Sequence, residues 1–157
     1  MSSEVLIQEE MTEVAGLLIP LHEKQLILPN VTVAEIIPYQ APASANNGAD
    51  WLLGQIEWRN IDIPVLSYEV LNGGNIPPVT GARIAVINGT GQKGDLPFYA
   101  ILIQGIPKLT HIQEKDVVEV EAMHSGPYDE MCVSLSNEQA MIPNLEMIEN
   151  ELLKYIG

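Results

Sequence analysis

The chain has 157 residues, 46% of them apolar and 18% charged, which excludes a disordered chain and fits one domain or two closely packed halves. Seven Lys and Arg against 21 Asp and Glu give a formal charge of −14; a surface that acidic argues against sequence-independent nucleic-acid binding and against an anionic membrane face. The single cysteine, Cys132, excludes an internal disulfide and a Cys-based zinc site, and no apolar run approaches membrane-spanning length.

Residues 1–14 are polar and acidic and read as a flexible N-terminus without the basic and apolar segments of a secretory signal. The expected setting is therefore the cytoplasm. Leu17 to Leu21 and Gln25 to Leu28 read as two strands joined by a turn at His22-Glu23-Lys24. Pro29-Asn30 ends the second, and Asn30 is placed to cap a short helical turn over Val31 to Val33. Glu35 to Ile37 resumes extended structure, and residues 40–50 are a loop by composition. Leu53 to Arg59 alternates, with Gly54, Ile56 and Trp58 on an apolar face. Asn60-Ile61-Asp62 reads as a tight connection into Ile63 to Ser67, and Tyr68 to Leu71 as a brief helix stopped by Asn72-Gly73-Gly74.

Residues 73–81, rich in Gly and Pro, form the clearest internal boundary. Beyond it, Arg83 to Asn88, Phe98 to Ile103, Leu109 to Ile112 and Val117 to Met123 read as strands. In the last of these, Val118, Val120 and Ala122 are expected to face inward and Glu119 and Glu121 outward. Cys132 to Leu135 and Gln139 to Ile142 suggest a hairpin around Ser136-Asn137. Leu145 to Ile156 is the one convincing helix: Leu145, Ile148, Leu152 and Ile156 share a face, while Glu146, Glu149 and Asn150 fall largely on another. Nine or ten short strands divided by one boundary predict an all-β protein of two small barrels, over 15–75 and 82–156.

Motifs that would carry chemistry are thin. Gly89-Thr-Gly91-Gln-Lys-Gly94 matches G-x-G-x-x-G, with Glu114 twenty residues on. A dinucleotide site needs a helix to open at the third glycine, and the following run, Phe98 to Ile103, is β-favouring, so a glycine hairpin loop is the expectation. His22, His111 and His124 share no ligand spacing. Cys132 reads as a small buried apolar group, and Ser67 and Ser134 lack a nucleophile elbow. No catalytic residue, cofactor or metal ligand is identified. One of only two arginines, Arg59, lies among Trp51, Trp58 and Tyr68; an Arg among aromatics suits an interface hot spot, although the tryptophans alone would suit a core.

Leu17-Leu-Ile-Pro-Leu21, Gln25-Leu-Ile-Leu-Pro29 and Val33-Ala-Glu35-Ile-Ile, followed by Trp51 to Val65 with its Gly54, Arg59 and Pro64-Val65, resemble the CheW-like domain family over about residues 15–156. Trp51-Leu-Leu-Gly54, Leu71-Asn-Gly-Gly74 and Pro97-Phe-Tyr-Ala-Ile101 are most similar to a branch of that family serving the chemosensory control of type IV pili. The resemblance implies two five-stranded SH3-like barrels, a C-terminal helix and a non-enzymatic adaptor. It also implies two partners: the cytoplasmic tip of a chemoreceptor, and a regulatory domain of a histidine kinase. Val33, Glu35 and Arg59 match the receptor-facing positions; Gly54, Asn60 and Ile61 are expected at candidate ends of the first barrel, and in the family one such end docks the kinase. Asn60 replaces the family's usual glycine, and Ile103-Gln104 its usual Val-Asp pair. The competing readings are a small-ligand-binding barrel and an enzyme, either of which needs a pocket with convergent polar groups.

Overall fold

The structure, a computed structural model, describes residues 13–43, 48–91, 96–113, 115, 117–121, 125–135 and 138–156. Among them are eleven strands: β1 (Glu13–Pro20), β2 (Gln25–Pro29), β3 (Val33–Pro38), β4 (Leu52–Trp58), β5 (Ile61–Leu66), β6 (Arg83–Asn88), β7 (Phe98–Ile103), β8 (Lys108–Gln113), β9 (Val117–Val120), β10 (Asp129–Leu135) and β11 (Glu138–Pro143). A 3-10 turn covers Asn30–Thr32, a short helix α1 covers Tyr68–Leu71, and α2 covers Leu145–Ile156.

The strands form two sheets, in the orders β8-β1-β2-β11-β10-β9 and β3-β6-β7-β5-β4. The fold is mostly β in two barrel-like subdomains with a C-terminal helix, as expected, but the strand counts are six and five rather than five and five. Nor does the Gly/Pro stretch at 73–81 separate the sheets. It lies within the second sheet, between α1 and β6, while the first sheet takes β1 and β2 from the start of the chain and β8 to β11 from its end. Gly and Pro mark a surface connection here. Strand pairing decides sheet membership, because β6 must lie between β3 and β7 to complete their ladders.

Three apolar clusters follow from the two-residue period of strands. Ile84 and Val86 of β6 point into the second sheet's interior with Ile37, Ile56, Trp58, Ile63, Val65 and Ala100. Ala85 and Ile87, one residue out of phase, point into a larger core between the sheets. The first sheet repeats the pattern: Leu18, Ile27, Val133 and Ala140 fill its interior, whereas Ile19, Leu26, Leu28, Cys132 and Met141 face the shared core. This is why Phe98 to Ile103 reads as an almost unbroken apolar run. Residues 99–103 are all buried, on both faces of the strand. Burial of Ile101, Leu102 and Ile103 stabilises the fold by about 1.5–3 kcal/mol each relative to exposure.

Helix α2 starts where the sequence predicts. The Asn144 side chain accepts the Met147 N–H at 3.1 Å, an N-cap bond, and Ile148 and Leu152 enter the shared core. Three local expectations are corrected. Asn30 makes no side-chain cap; its turn is instead held by Asn88 Nδ2, which donates to the Val31 carbonyl at 3.0 Å. In β9 it is Val117 and Val120 that pack, and Val118 is exposed. Glu149, placed by the sequence on a solvent face, is buried, because the i+4 step from Leu145 brings it onto the apolar face.

Candidate docking site

Strands β4 and β5 are joined by a two-residue hairpin loop, Arg59-Asn60, with Trp58 opposite Ile61. Both loop residues have positive φ, 49° and 67°, as a type I′ turn requires. This differs from the expected Asn60-Ile61-Asp62 turn: Arg59 leaves β4, and Ile61 and Asp62 already belong to β5. Asn tolerates the left-handed conformation through its short polar side chain. Arg gains nothing comparable there, so its conformation stores strain on the order of 1–2 kcal/mol.

That strain aims the guanidinium back over its own strand. Arg59 Cζ lies 4.6 Å from the Trp58 ring centroid, within cation–π range. Arg59 Nη2 is 3.4 Å from Glu35 Oε1, and the same oxygen accepts the Trp58 Nε1–H at 2.9 Å. Trp58 itself is buried and meets Phe98 edge-on, ring centroids 4.8 Å apart. Glu35 and Arg59 therefore meet although their strands are not neighbours in the sheet. β3 and β4 are the two edges of the five-stranded sheet, and the Glu35–Trp58–Arg59 contact joins those edges. The Glu35 side chain is 43% exposed and that of Arg59 68%. Anchored from beneath by a buried indole, the charged pair stays open to solvent.

The remaining predicted residues take different places. Val33 is partly buried against the shared core, and a register shift between Val33 and Glu35 puts a bulge at this point of β3. Gly54 is not at a barrel end. It is buried at φ 140°, beside the isolated bridge of Ala43 to Gln55, and a Cβ there would run into the Ala43 carbonyl oxygen. Its part is to let residues 42–43 pack on β4. Asn60 is exposed, and Ile61 is 40% exposed beside it. Trp51 and Tyr68 do not join Arg59. Trp51 meets Tyr155 of α2 edge-on at 5.4 Å, and Tyr68 belongs to a second cluster.

That second cluster was not legible in the sequence. Asp129 Oδ2 is 2.7 Å from Lys24 Nζ and accepts the Gly126 N–H at 2.8 Å. Asp129 Oδ1 accepts from Tyr68 O–H at 2.6 Å and from Asn72 Nδ2 at 3.1 Å. Asn72 Oδ1 accepts the Tyr128 N–H at 2.8 Å. Lys24 sits 5.4 Å above the Tyr68 ring. Burial pushes the Asp129 carboxyl up, but the Gly126 N–H, Lys24 and Tyr68 outweigh it and hold the group below its ordinary value. Burial, and then the Asp129 carboxylate, push the Tyr68 phenol far above its ordinary value. The cluster joins the β1–β2 turn, α1 and the start of β10, and hence the two sheets. Lys24 and Asp129 are too far apart in the chain for any spacing rule to connect them.

Among the described residues these candidates assemble no reaction centre. Residues 92–95 and 114, which complete the glycine motif, lie outside the described residues, as does His124. The run after the motif is strand β7, not the helix a dinucleotide site needs. The Ser67 hydroxyl oxygen accepts the Val70 N–H and caps α1, and Cys132 is buried in the shared core. Among the described residues no group of three or more His, Cys, Asp or Glu is placed to hold a metal ion, and no helix is long and apolar enough to cross a membrane.

In fold, the chain is similar to the crystal structure of the scaffolding protein TtCheW from Thermoanaerobacter tengcongensis, with a TM-score of 0.70 at 15% identity over 83% of this chain and 88% of that one. No curated protein matches it significantly in sequence. The model of the CheW-like domain matches residues 15–152. This chain belongs to the CheW-like domain family, whose members are scaffolds of chemotaxis signalling rather than enzymes.

Proposed function

We propose that this protein is a cytoplasmic, non-enzymatic adaptor that couples the tip of a chemoreceptor to the regulatory domain of a chemosensory histidine kinase. We place it in the control of type IV pili and twitching motility, as a relative of the ChpC branch. The observation that carries the receptor side is the solvent-open Glu35–Arg59 pair, seated on Trp58 and aimed by a strained turn. Two exposed charges of opposite sign contribute only about 0–1 kcal/mol to stability, so holding Arg59 at positive φ is poorly explained by stability alone. A planar multi-donor cation stacked on an indole suits recognition of a helical receptor tip carrying both charge and apolar side chains; Val33, two residues before Glu35 on β3, is kept in the proposed surface.

On the kinase side the proposal rests on Asn60 and Ile61, with Gly54 acting through the shape of β4 rather than by contact. Ile61 is an apolar side chain at the root of a polar turn, flanked by the exposed Asn60 and Asp62. An apolar tip of this kind fits insertion into a barrel domain of similar build.

The deciding experiment is calorimetric titration of a receptor tip with the wild-type protein and with Arg59→Ala. We expect the variant to keep its melting temperature and to lose about 2 kcal/mol or more of binding free energy. Unchanged binding would show that the pair is structural only.

A further inference from the structure

Glu149 serves no part of the adaptor reading, yet it is a buried carboxylate. It is 3% exposed. Its carboxylate accepts the Thr90 N–H at 3.1 and 3.2 Å, the Thr90 hydroxyl at 2.8 Å and the Tyr99 hydroxyl at 3.1 Å. Among the described residues its partners are neutral N–H and O–H groups. Burial, and then this carboxylate, hold the Tyr99 phenol far above its ordinary value.

Docking of α2 does not need this charge. Ile148 and Leu152, both fully buried, already attach the helix to the shared core. Burying an ion adds a desolvation cost of several kcal/mol that an apolar residue of the same size would not carry. What the carboxylate supplies is a directed link. α2 follows β11 of the six-stranded sheet, whereas among the described residues Glu149's donors belong to the other sheet: Tyr99 in β7 and Thr90 just after β6. The turn it grips is tied at its base, where the Gly89 N–H donates to the Pro97 carbonyl at 2.8 Å and a Cβ on Gly89 would meet the Leu96 carbonyl oxygen. At its other end α2 touches the start of β4 through Tyr155 and Trp51.

We infer that Glu149 couples the 89–91 turn to α2, so that the two open as one unit and a partner engaging either is felt at the other. Coupling of this kind is reciprocal, and reciprocity makes it testable. Amide hydrogen exchange would be followed in the full chain for the wild type, Thr90→Pro, Thr90→Val and Glu149→Leu. In Thr90→Pro, which removes both Thr90 donors and leaves Glu149 in place, the α2 amides of Leu152 and Leu153 should exchange about 10-fold faster or more. Thr90→Val keeps the N–H and should give a smaller rise. In Glu149→Leu, the Gly89 amide should exchange faster although it bonds to Pro97 and not to Glu149. The inference is overturned if the α2 amides in Thr90→Pro stay within about twofold of wild type. It is equally overturned if the Gly89 amide is unmoved in Glu149→Leu, or if β10 and β11 amides accelerate as much as those of α2, which would mean general loosening.

Discussion

Asp129 and Glu35 are built from the same parts. Each carboxylate accepts a hydrogen bond from an aromatic side chain, Tyr68 O–H or Trp58 Nε1–H. Each also pairs with a cation lying over that same ring, Lys24 or Arg59. They differ in water. The Asp129 side chain is 1% exposed, Glu35 43%. At Asp129 the backbone N–H of Gly126 and the amide of Asn72 take up the remaining acceptor positions, so the group is saturated from within and clamps the two sheets together. At Glu35 one oxygen carries both contacts and the surface remains open. One constellation yields a structural joint when buried and a surface available to partners when exposed, because desolvation sets how much each charge depends on its internal partners.

The contrast can be broken first at the buried cluster, where the expected effect is largest. Asp129→Ala leaves Lys24, Asn72 and the Gly126 N–H without this acceptor, and Tyr68 O–H with the Tyr128 carbonyl alone at 2.9 Å, and should cost about 3–5 kcal/mol in urea unfolding. A loss under about 1 kcal/mol would place Asp129 in the same class as Glu35. The pH dependence sharpens this. The folded-state pKa of Asp129 is depressed, so its contribution is fully present above the unfolded carboxyl value near 3.9 and is lost as pH falls through the lower folded value. The stability gap between wild type and Asp129→Asn should therefore be constant from about pH 5 to 7 and narrow only at more acid pH. A gap that is already narrowing at pH 6 would contradict the assignment.

Next comes the hairpin. Ile61→Asp should abolish binding to a chemosensory kinase regulatory domain, measured by titration, while receptor binding and the melting temperature hold. Loss of receptor binding as well would mean that the two proposed surfaces are one. If the wild type itself binds no such domain at high concentration, the protein acts without direct kinase contact.

At the exposed pair, Arg59→Ala should change unfolding free energy by under about 1 kcal/mol in either direction, since the lost ion pair and cation–π contact are offset by relief of backbone strain. A larger destabilisation would make the pair a clamp like Asp129. Smallest of all, Glu57 and Asp62 stand directly opposite each other on β4 and β5, both exposed. Like charges so placed repel, so Asp62→Lys should raise stability by about 0.5 kcal/mol in the same assay.

Much of the fold was legible because burial writes itself into strands with a period of two and into helices with a period near 3.6. Phe98 to Ile103 and Leu145 to Ile156 coincide with observed elements for that reason, and Leu53 to Arg59 overruns its strand only by Arg59. Family resemblance brought Glu35 and Arg59 onto one surface before any distance was known. Tertiary structure decided what no local pattern encodes. Sheet membership depends on which strand edges find each other, so residues 73–81 punctuate the chain without dividing the sheets. The positive φ of Arg59 depends on a hairpin register set by Trp58 opposite Ile61. Asp129 meets Lys24, and Glu149 meets Thr90, across 105 and 59 residues of chain, and burial of a polar group is a property of the assembled surroundings rather than of the residue.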